Sequence, residues 1–289
     1  MSIIDDYTRW HALQTATGDI DPAYPVLEFV GRCIGDRELK AWLLLHHVAH
    51  YHIGSALKSF SISPGGDFDD ALYRLPTGTE RRGNRDPRAF HRHWTSLRTE
   101  VDKAGGAAAF LTPTAGGRDG WRELTERVEK IHGNGRWASY KLCELTQKVL
   151  GVPITAPDAG HAFSTGPRKG LALLAPIPSG NSPAVIAELD ELTNTLAARL
   201  GERDIAQVET SLCDFHSLAK GRYYLGKDID EQLHHLMAVP SGLTPVAMEA
   251  RRLSFPHQYL AELTGRDGVD KERCREYART GRILERSTR

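Results

Sequence analysis

Residues 131–158 read Ile131-His-Gly-Asn-Gly-Arg-Trp-Ala-Ser-Tyr140, Lys141-Leu-Cys-Glu-Leu-Thr-Gln-Lys-Val-Leu150, Gly151-Val-Pro-Ile-Thr-Ala-Pro-Asp158. This pattern predicts a helix ending near Ile131, a tight Gly-x-Gly turn, an immediate restart, and a carboxylate about one helix-length on. Gly133 and Gly135 are expected to supply positive φ angles and to let another backbone come close. The first N–H groups of the second helix then form an anion site suited to a nucleic-acid phosphate. Turns of many kinds use Gly-x-Gly. Read alone, the segment is equally an ordinary helical hairpin followed by an N-capping aspartate.

Outward from this segment the apolar spacing is helical nearly throughout. Asp36 with Leu39, Trp42, Leu43, Leu45, His46 and Ala49 opens a long helix expected to continue to about Leu57. His46 and His50 share a face, near His47 and His52, but no carboxylate stands among them as a zinc-hydrolase helix requires. Hydrogen-bonded histidines of a buried helix are the better reading, and no metal site is assigned. Residues 61–86 are rich in Gly, Pro, Asp and Arg and read as a loop-dominated insert. Its Arg81, Arg82 and Arg85 are either solvated or a phosphate grip. Residues 105–117 form a small-residue connector, and helices are expected over 121–131, 183–200, 205–218 and 228–237. The last fifty residues are polar, helix-compatible and end in a basic tail. The expected fold is all-α. It forms a single helical unit over 1–289, or two lobes (1–104 plus 165–240, and 105–164) with a helical extension over 241–289.

Composition bounds the function. Lys+Arg and Asp+Glu both total 37, so no global field attracts nucleic acid, and any such contact needs a local basic surface. Cys33, Cys143, Cys213 and Cys274 are far apart, without a Cys-x-x-Cys pair. A zinc ribbon, an iron–sulfur loop and a disulfide framework are unsupported, and the thiols read as reduced. There is no apolar run of membrane-spanning length and no signal-peptide pattern, so a cytoplasmic location is expected.

Two further segments carry candidate chemistry. Residues 157–174 combine Asp158, His161, Ser164, Gly166, Pro167, Arg168, Lys169 and Gly170. A small-residue loop with two cations at the mouth of a helix suits pyrophosphate, though a solvated surface loop has the same composition. In residues 209–230, Glu209, Cys213, His216 and Lys220 recur on one helical face, a reactive stripe or simply the polar border of the Leu212, Phe215, Leu218 core. Arg222, Tyr223, Tyr224 and Lys227 add phosphate donors and a stacking surface.

The hairpin resembles the helix-hairpin-helix module of the DNA glycosylase superfamily, in which the hairpin grips phosphates and the later aspartate faces a flipped-out nucleotide. That resemblance implies DNA-backbone contacts at Gly133, Gly135, Arg136 and Lys141, and an active-site carboxylate at Asp158. Asn134 departs from the pattern, since the usual hairpin has an apolar residue there. Taken in order, the stretches at residues 21–27, 135–141, 166–171, 209–215 and 221–226 resemble the α-glutamyl/putrescinyl thymine pyrophosphorylases, or amino acid:DNA transferases. The resemblance covers roughly residues 10–237. It implies a phage or prophage enzyme that transfers an amine (an amino acid or polyamine) onto 5-(pyrophosphoryloxymethyl)uracil in DNA and releases pyrophosphate. Arg168, Lys169, Arg222 and Lys227 would receive the pyrophosphate. Asp158 or His216 would deprotonate the amine, and Cys213, beside Glu209, would add to the pyrimidine ring. No residue pattern requires a cofactor, and Mg²⁺ is compatible with a pyrophosphate leaving group. The alternatives are a base-excision glycosylase using the same aspartate, and a non-catalytic helical DNA-binding module.

Overall fold

Short polar side chains and prolines decide where the helices of this chain begin. The computed structural model describes residues 2–260, and no strand occurs among them beyond an isolated parallel bridge between Gly117 and Ile154. The chain runs through α1 (Ile3–Thr17), α2 (Ala23–Ile34), α3 (Arg37–His50), α4 (Ile53–Ile62) and α5 (Pro87–Ala104). Next come α6 (Ala107–Phe110), α7 (Gly117–Glu129), α8 (Arg136–Leu150) and α9 (Thr165–Leu174). The last described are α10 (Pro183–Leu200), α11 (Ile205–Ala219), α12 (Lys227–Ala238) and α13 (Thr244–Ser254). The protein is all-α, as its spacing predicts. Asp36 starts α3 by accepting from the Leu39 N–H at 2.8 Å, and Asp86 starts α5 by accepting from Arg88 and Ala89, both at 2.9 Å. Pro87 occupies the first position of α5, where its missing N–H costs nothing.

By contact the described residues form two units, 2–22 with 156–231 and 255–260, and 23–155 with 232–254. These units cut the chain at different points from the sequence lobes 1–104 plus 165–240 and 105–164. Of the expected extension over 241–289, α13 is described and packs on α2, whereas Cys274 and the basic tail lie outside the described residues.

In the first unit α1, α9, α10 and α11 enclose Tyr7, Trp10, Leu212 and Phe215, all fully buried. A Cβ on Gly166 would lie 2.5 Å from the Cys213 Sγ, and one on Gly170 would run into the Leu212 carbonyl oxygen. Two glycines four residues apart thus let α9 lie against α11 almost backbone to backbone. They are packing residues of a helix, where the sequence reading placed a loop.

In the second unit every residue of α3 from Ala41 to His50 is buried, so this helix is the unit's axis. The helix expected to run on to Leu57 is in fact two. Tyr51 turns into the left-handed region (φ 45°), and His52 caps α4 by accepting from the Ser55 N–H at 3.0 Å. The His50 carbonyl, released from the ladder, accepts from the Gly78 N–H at 2.9 Å. His46 is the buried, hydrogen-bonded histidine anticipated, touching Ser59 Oγ at 2.6 Å and the Ser63 carbonyl at 2.9 Å. Among the described residues no His, Cys, Asp and Glu side chains are grouped to hold a metal ion. The insert over 61–86 is not wholly irregular: it contains short 3-10 helices at Leu72–Arg74 and Thr79–Arg85.

Candidate functional site

The hairpin lies in the second unit, with α7, a turn and α8 in the order expected. Gly133 takes φ 79°, a conformation open to glycine and costly for a branched residue. Gly135 does not share it. Its φ is −119° and ψ −172°, so the chain enters α8 from an extended residue and Gly133 alone supplies the positive φ. No side chain caps α8, and an added Cβ on Gly135 would meet nothing within 4 Å. The start of α8 therefore offers backbone N–H groups beside empty space, with Arg136 exposed as the first helical residue.

The turn is held from below. His93 on α5 meets the His132 carbonyl at 2.8 Å, and Ser96 one turn later accepts from the His132 N–H at 2.9 Å. Arg81 donates to Asn134 Oδ1 at 3.1 Å and to the Gly133 carbonyl at 3.4 Å, while the Asn134 amide reaches the Val128 carbonyl at 3.3 Å. This arrangement explains the departure at position 134. Where an apolar residue would pack, Asn134 bridges α7 to a buried guanidinium, and Arg81 (5% exposed) is neither solvated nor a phosphate grip. Lys141 is also interior: 8% exposed, it meets Glu144 at 2.7 Å, and Glu144 in turn accepts from the Tyr24 hydroxyl at 3.1 Å. A carboxylate inside the unit, rather than a phosphate, balances that ammonium.

The first unit collects the remaining candidates. Asp158 accepts from the Gly160 N–H at 2.8 Å and lies in one electrostatic group with His161, Arg168 and Asp190. Burial, with Asp158 nearby, pushes Asp190 up to about 6 against the pull of Arg168. Burial and then Arg168 push His161 down to about 4, and its Nε2 meets Thr193 Oγ1 at 2.6 Å. The Arg168 guanidinium donates to the Gly180 carbonyl at 3.0 Å. On the neighbouring helix, Glu209 accepts from Ser164 at 3.5 Å and Thr210 at 3.3 Å, and the Cys213 thiol is the atom facing Gly166.

At the end of α11, His216 is held below the ordinary imidazole range by partial burial and by Arg222, Lys169 and Lys220 around it. Two segments that the sequence reading treated separately are thereby brought together: Lys169 from the middle of α9, and His216 with Arg222 from α11 and its exit. Lys169 and Arg222 are exposed, and their side chains make no hydrogen bond or ion pair among the described residues. Lys227 belongs elsewhere. It meets Glu231 at 2.8 Å and Asp228 at 3.3 Å, and these carboxylates raise its pKa against the opposing effect of burial.

One group of charged residues escaped the sequence reading. Asp19, fully buried, accepts from the Tyr223 hydroxyl at 3.0 Å and from the Gly226, Asp228 and Ile229 N–H groups at 2.8–3.3 Å. It caps α12 from a distance of some two hundred residues in sequence, which no local pattern reveals. Burial raises the carboxyl pKa values of Asp19, Asp214 and Asp228.

The fold and these sites define a helical protein with an uncapped helix start in one unit and a partly buried histidine near three cations in the other. The amino acid:DNA transferase family profile matches residues 12–224, and the chain belongs to that family. Among curated relatives it is 25% identical over 236 residues to a putrescinyltransferase of Delftia phage PhiW-14, covering 76% of this chain and 75% of that protein. It is 24% identical over 250 residues to a glycinyltransferase of Pseudomonas phage PaMx11, covering 74% of this chain and 84% of that one. No helix among the described residues is long and apolar enough to cross a membrane.

Proposed function

We propose that this protein replaces the pyrophosphate of 5-(pyrophosphoryloxymethyl)uracil in DNA with an amine, and that the leaving group is received around His216. Family membership supplies the reaction class. The observation that carries the site is the grouping of Lys169, Lys220 and Arg222 within electrostatic reach of a partly buried imidazole. Displacement at an exocyclic CH₂ makes two demands. Charge on the departing pyrophosphate must be stabilised, and the nucleophile must be the free amine, since an ammonium has no lone pair. The grouped cations answer the first, with Arg168 a further donor on α9. A neutral imidazole answers the second. The amine nitrogen forms the C–N bond, the C–O bond breaks with its electron pair passing to pyrophosphate, and the surplus ammonium proton passes to His216. Asp158 is the alternative acceptor, placed near Arg168 and Asp190. The packing of Cys213 Sγ against Gly166 supports a spacing role for the thiol over addition to the pyrimidine ring. The uncapped start of α8 serves as the DNA-backbone grip while the target base leaves the stack.

The test incubates the protein with duplex DNA carrying the pyrophosphorylated base and a panel of amines including putrescine and glycine. Modified nucleosides are followed by mass spectrometry, with released pyrophosphate measured alongside. One amine adduct forming in step with pyrophosphate is the expected result. Absence of both with every amine would sink the proposal, and abasic sites in the same DNA would replace it with base excision.

A further inference from the structure

The second unit carries a cavity that the hairpin and the candidate catalytic residues do not use. It has a volume of ≈ 340 Å³ and is lined by Phe68, Asp70 and Tyr73 on one side and by Arg88, His91 and Arg92 of α5 on the other. Phe68 is 36% exposed and stands edge-on to His91 with ring centroids 4.7 Å apart. Arg88 and Arg92 are exposed one helical turn apart, and neither guanidinium makes a hydrogen bond or ion pair among the described residues. Other arginines of this unit are engaged: Arg98 with Asp67 and Asp102, Arg122 with Asp119, Arg127 with Glu123. Two uncommitted guanidiniums beside accessible aromatic rings match the two parts of a nucleotide, since every base has a stacking face and every phosphate takes a guanidinium.

The cavity's helix also bears on the hairpin. Through His93 and Ser96, α5 holds the turn at His132, and Arg88 lies roughly 12 Å along the same helix from Ser96. A strand gripped at the start of α8 and running along α5 meets the arginines within a few nucleotides. Asp70 repels phosphate but accepts from a base amino or imide N–H, which orients the base inward and the phosphates toward α5.

We infer that this cavity is a second DNA contact, taking one unpaired nucleotide of the substrate with its base against Phe68 and His91 and its phosphates on Arg88 and Arg92. The inference rests on the DNA-modifying reading above. Its test is fluorescence anisotropy of the full chain with a labelled duplex, fully paired or carrying one unpaired nucleotide, over a salt series. Arg88→Ala/Arg92→Ala is expected to weaken binding at least tenfold and to lower the slope of log K against log salt by about 1.8, the loss of two phosphate contacts. Phe68→Ala is expected to keep the wild-type slope but lose the preference for the unpaired duplex. A double variant with wild-type affinity and slope would overturn this contact while leaving the transferase reading standing. Wild-type protein that bound neither duplex would remove both.

Discussion

A guanidinium withdrawn from water has to be satisfied by what surrounds it, and Arg81 is satisfied by the hairpin. Burial lowers its pKa to about 10, still charged at neutral pH, so its bonds to Asn134 and Gly133 are charge-assisted. Arg81→Met keeps the apolar stem and removes those bonds. It is expected to cost about 1.5–3 kcal/mol of stability and to weaken DNA binding at temperatures where the variant remains folded. A thermal melt paired with a binding titration checks this, and unchanged affinity in a destabilised protein would show that the turn's rigidity does not matter. At His216 partial burial and then the nearby cations favour the neutral ring, so the proton-accepting form persists below the ordinary imidazole value near 6.5. The acid limb of kcat for amine transfer is therefore expected below that value, with the rate lost as pH falls through it. His216→Gln should lower kcat and abolish this limb. A limb left in place by the substitution would move the proton-accepting role to Asp158.

At the scale of single elements, the contact of α9 with α11 separates packing from chemistry. Gly166→Ala drives a methyl into the Cys213 Sγ, and Cys213→Ala removes that sulfur, leaving a Cβ contact at 3.2 Å. The double variant is expected to recover much of the roughly 1–3 kcal/mol that Gly166→Ala loses. Cys213→Ala alone should transfer amines at near wild-type rate, whereas abolished activity would restore the thiol to the chemistry. Helices were legible where their starts are local: Asp36 and Ser182 each stand before an apolar-periodic run and each caps a helix. The break at Tyr51 was not, because the apolar spacing runs on past it through Ile53, Ala56 and Leu57. What ends α3 is a histidine cap and a glycine N–H from residue 78. Of the candidate site, the residue types were readable along α9 and α11, and the helical period correctly set Glu209, Cys213 and His216 on one helix. Their grouping with Lys169 was beyond reach, since it depends on how closely α9 approaches α11. Arg81 was misread and Asp19 missed for the same reason, their partners lying far away in sequence.

For the whole molecule, the two units bury titratable groups of opposite kind, bases in one and acids in the other, and so answer acid differently. In the second unit His46, His47 and His93 are pushed down to about 3 by burial, and His50 moves the same way. Unfolded, these rings take up protons near pH 6.5, so from there down to about 3 the unfolded chain binds more protons than the folded one. The unit's stability is full above 6.5 and falls by ~1.4 kcal/mol per histidine for each unit below it. In the first unit the raised pKa values of Asp19 and Asp214 work the other way. Their contribution is present at low pH and lost as pH rises through the folded values, so acidification from neutrality relieves them. His161 and His11, both lowered, offset part of that gain. Hydrogen exchange at pH 7 and pH 5, corrected for the intrinsic rate, should therefore show α3 losing protection while α11 holds or gains it. An equal loss in both helices would refute the opposition. His47 and His50 make the sharper test, because all four of their ring nitrogens are buried without a hydrogen-bond partner among the described residues. Replacing His50 by Phe removes a proton site while keeping ring volume beside Phe90, 5.2 Å away. That variant should lose less α3 protection at pH 5 than the wild type, since one fewer buried ring then has a proton to gain by unfolding.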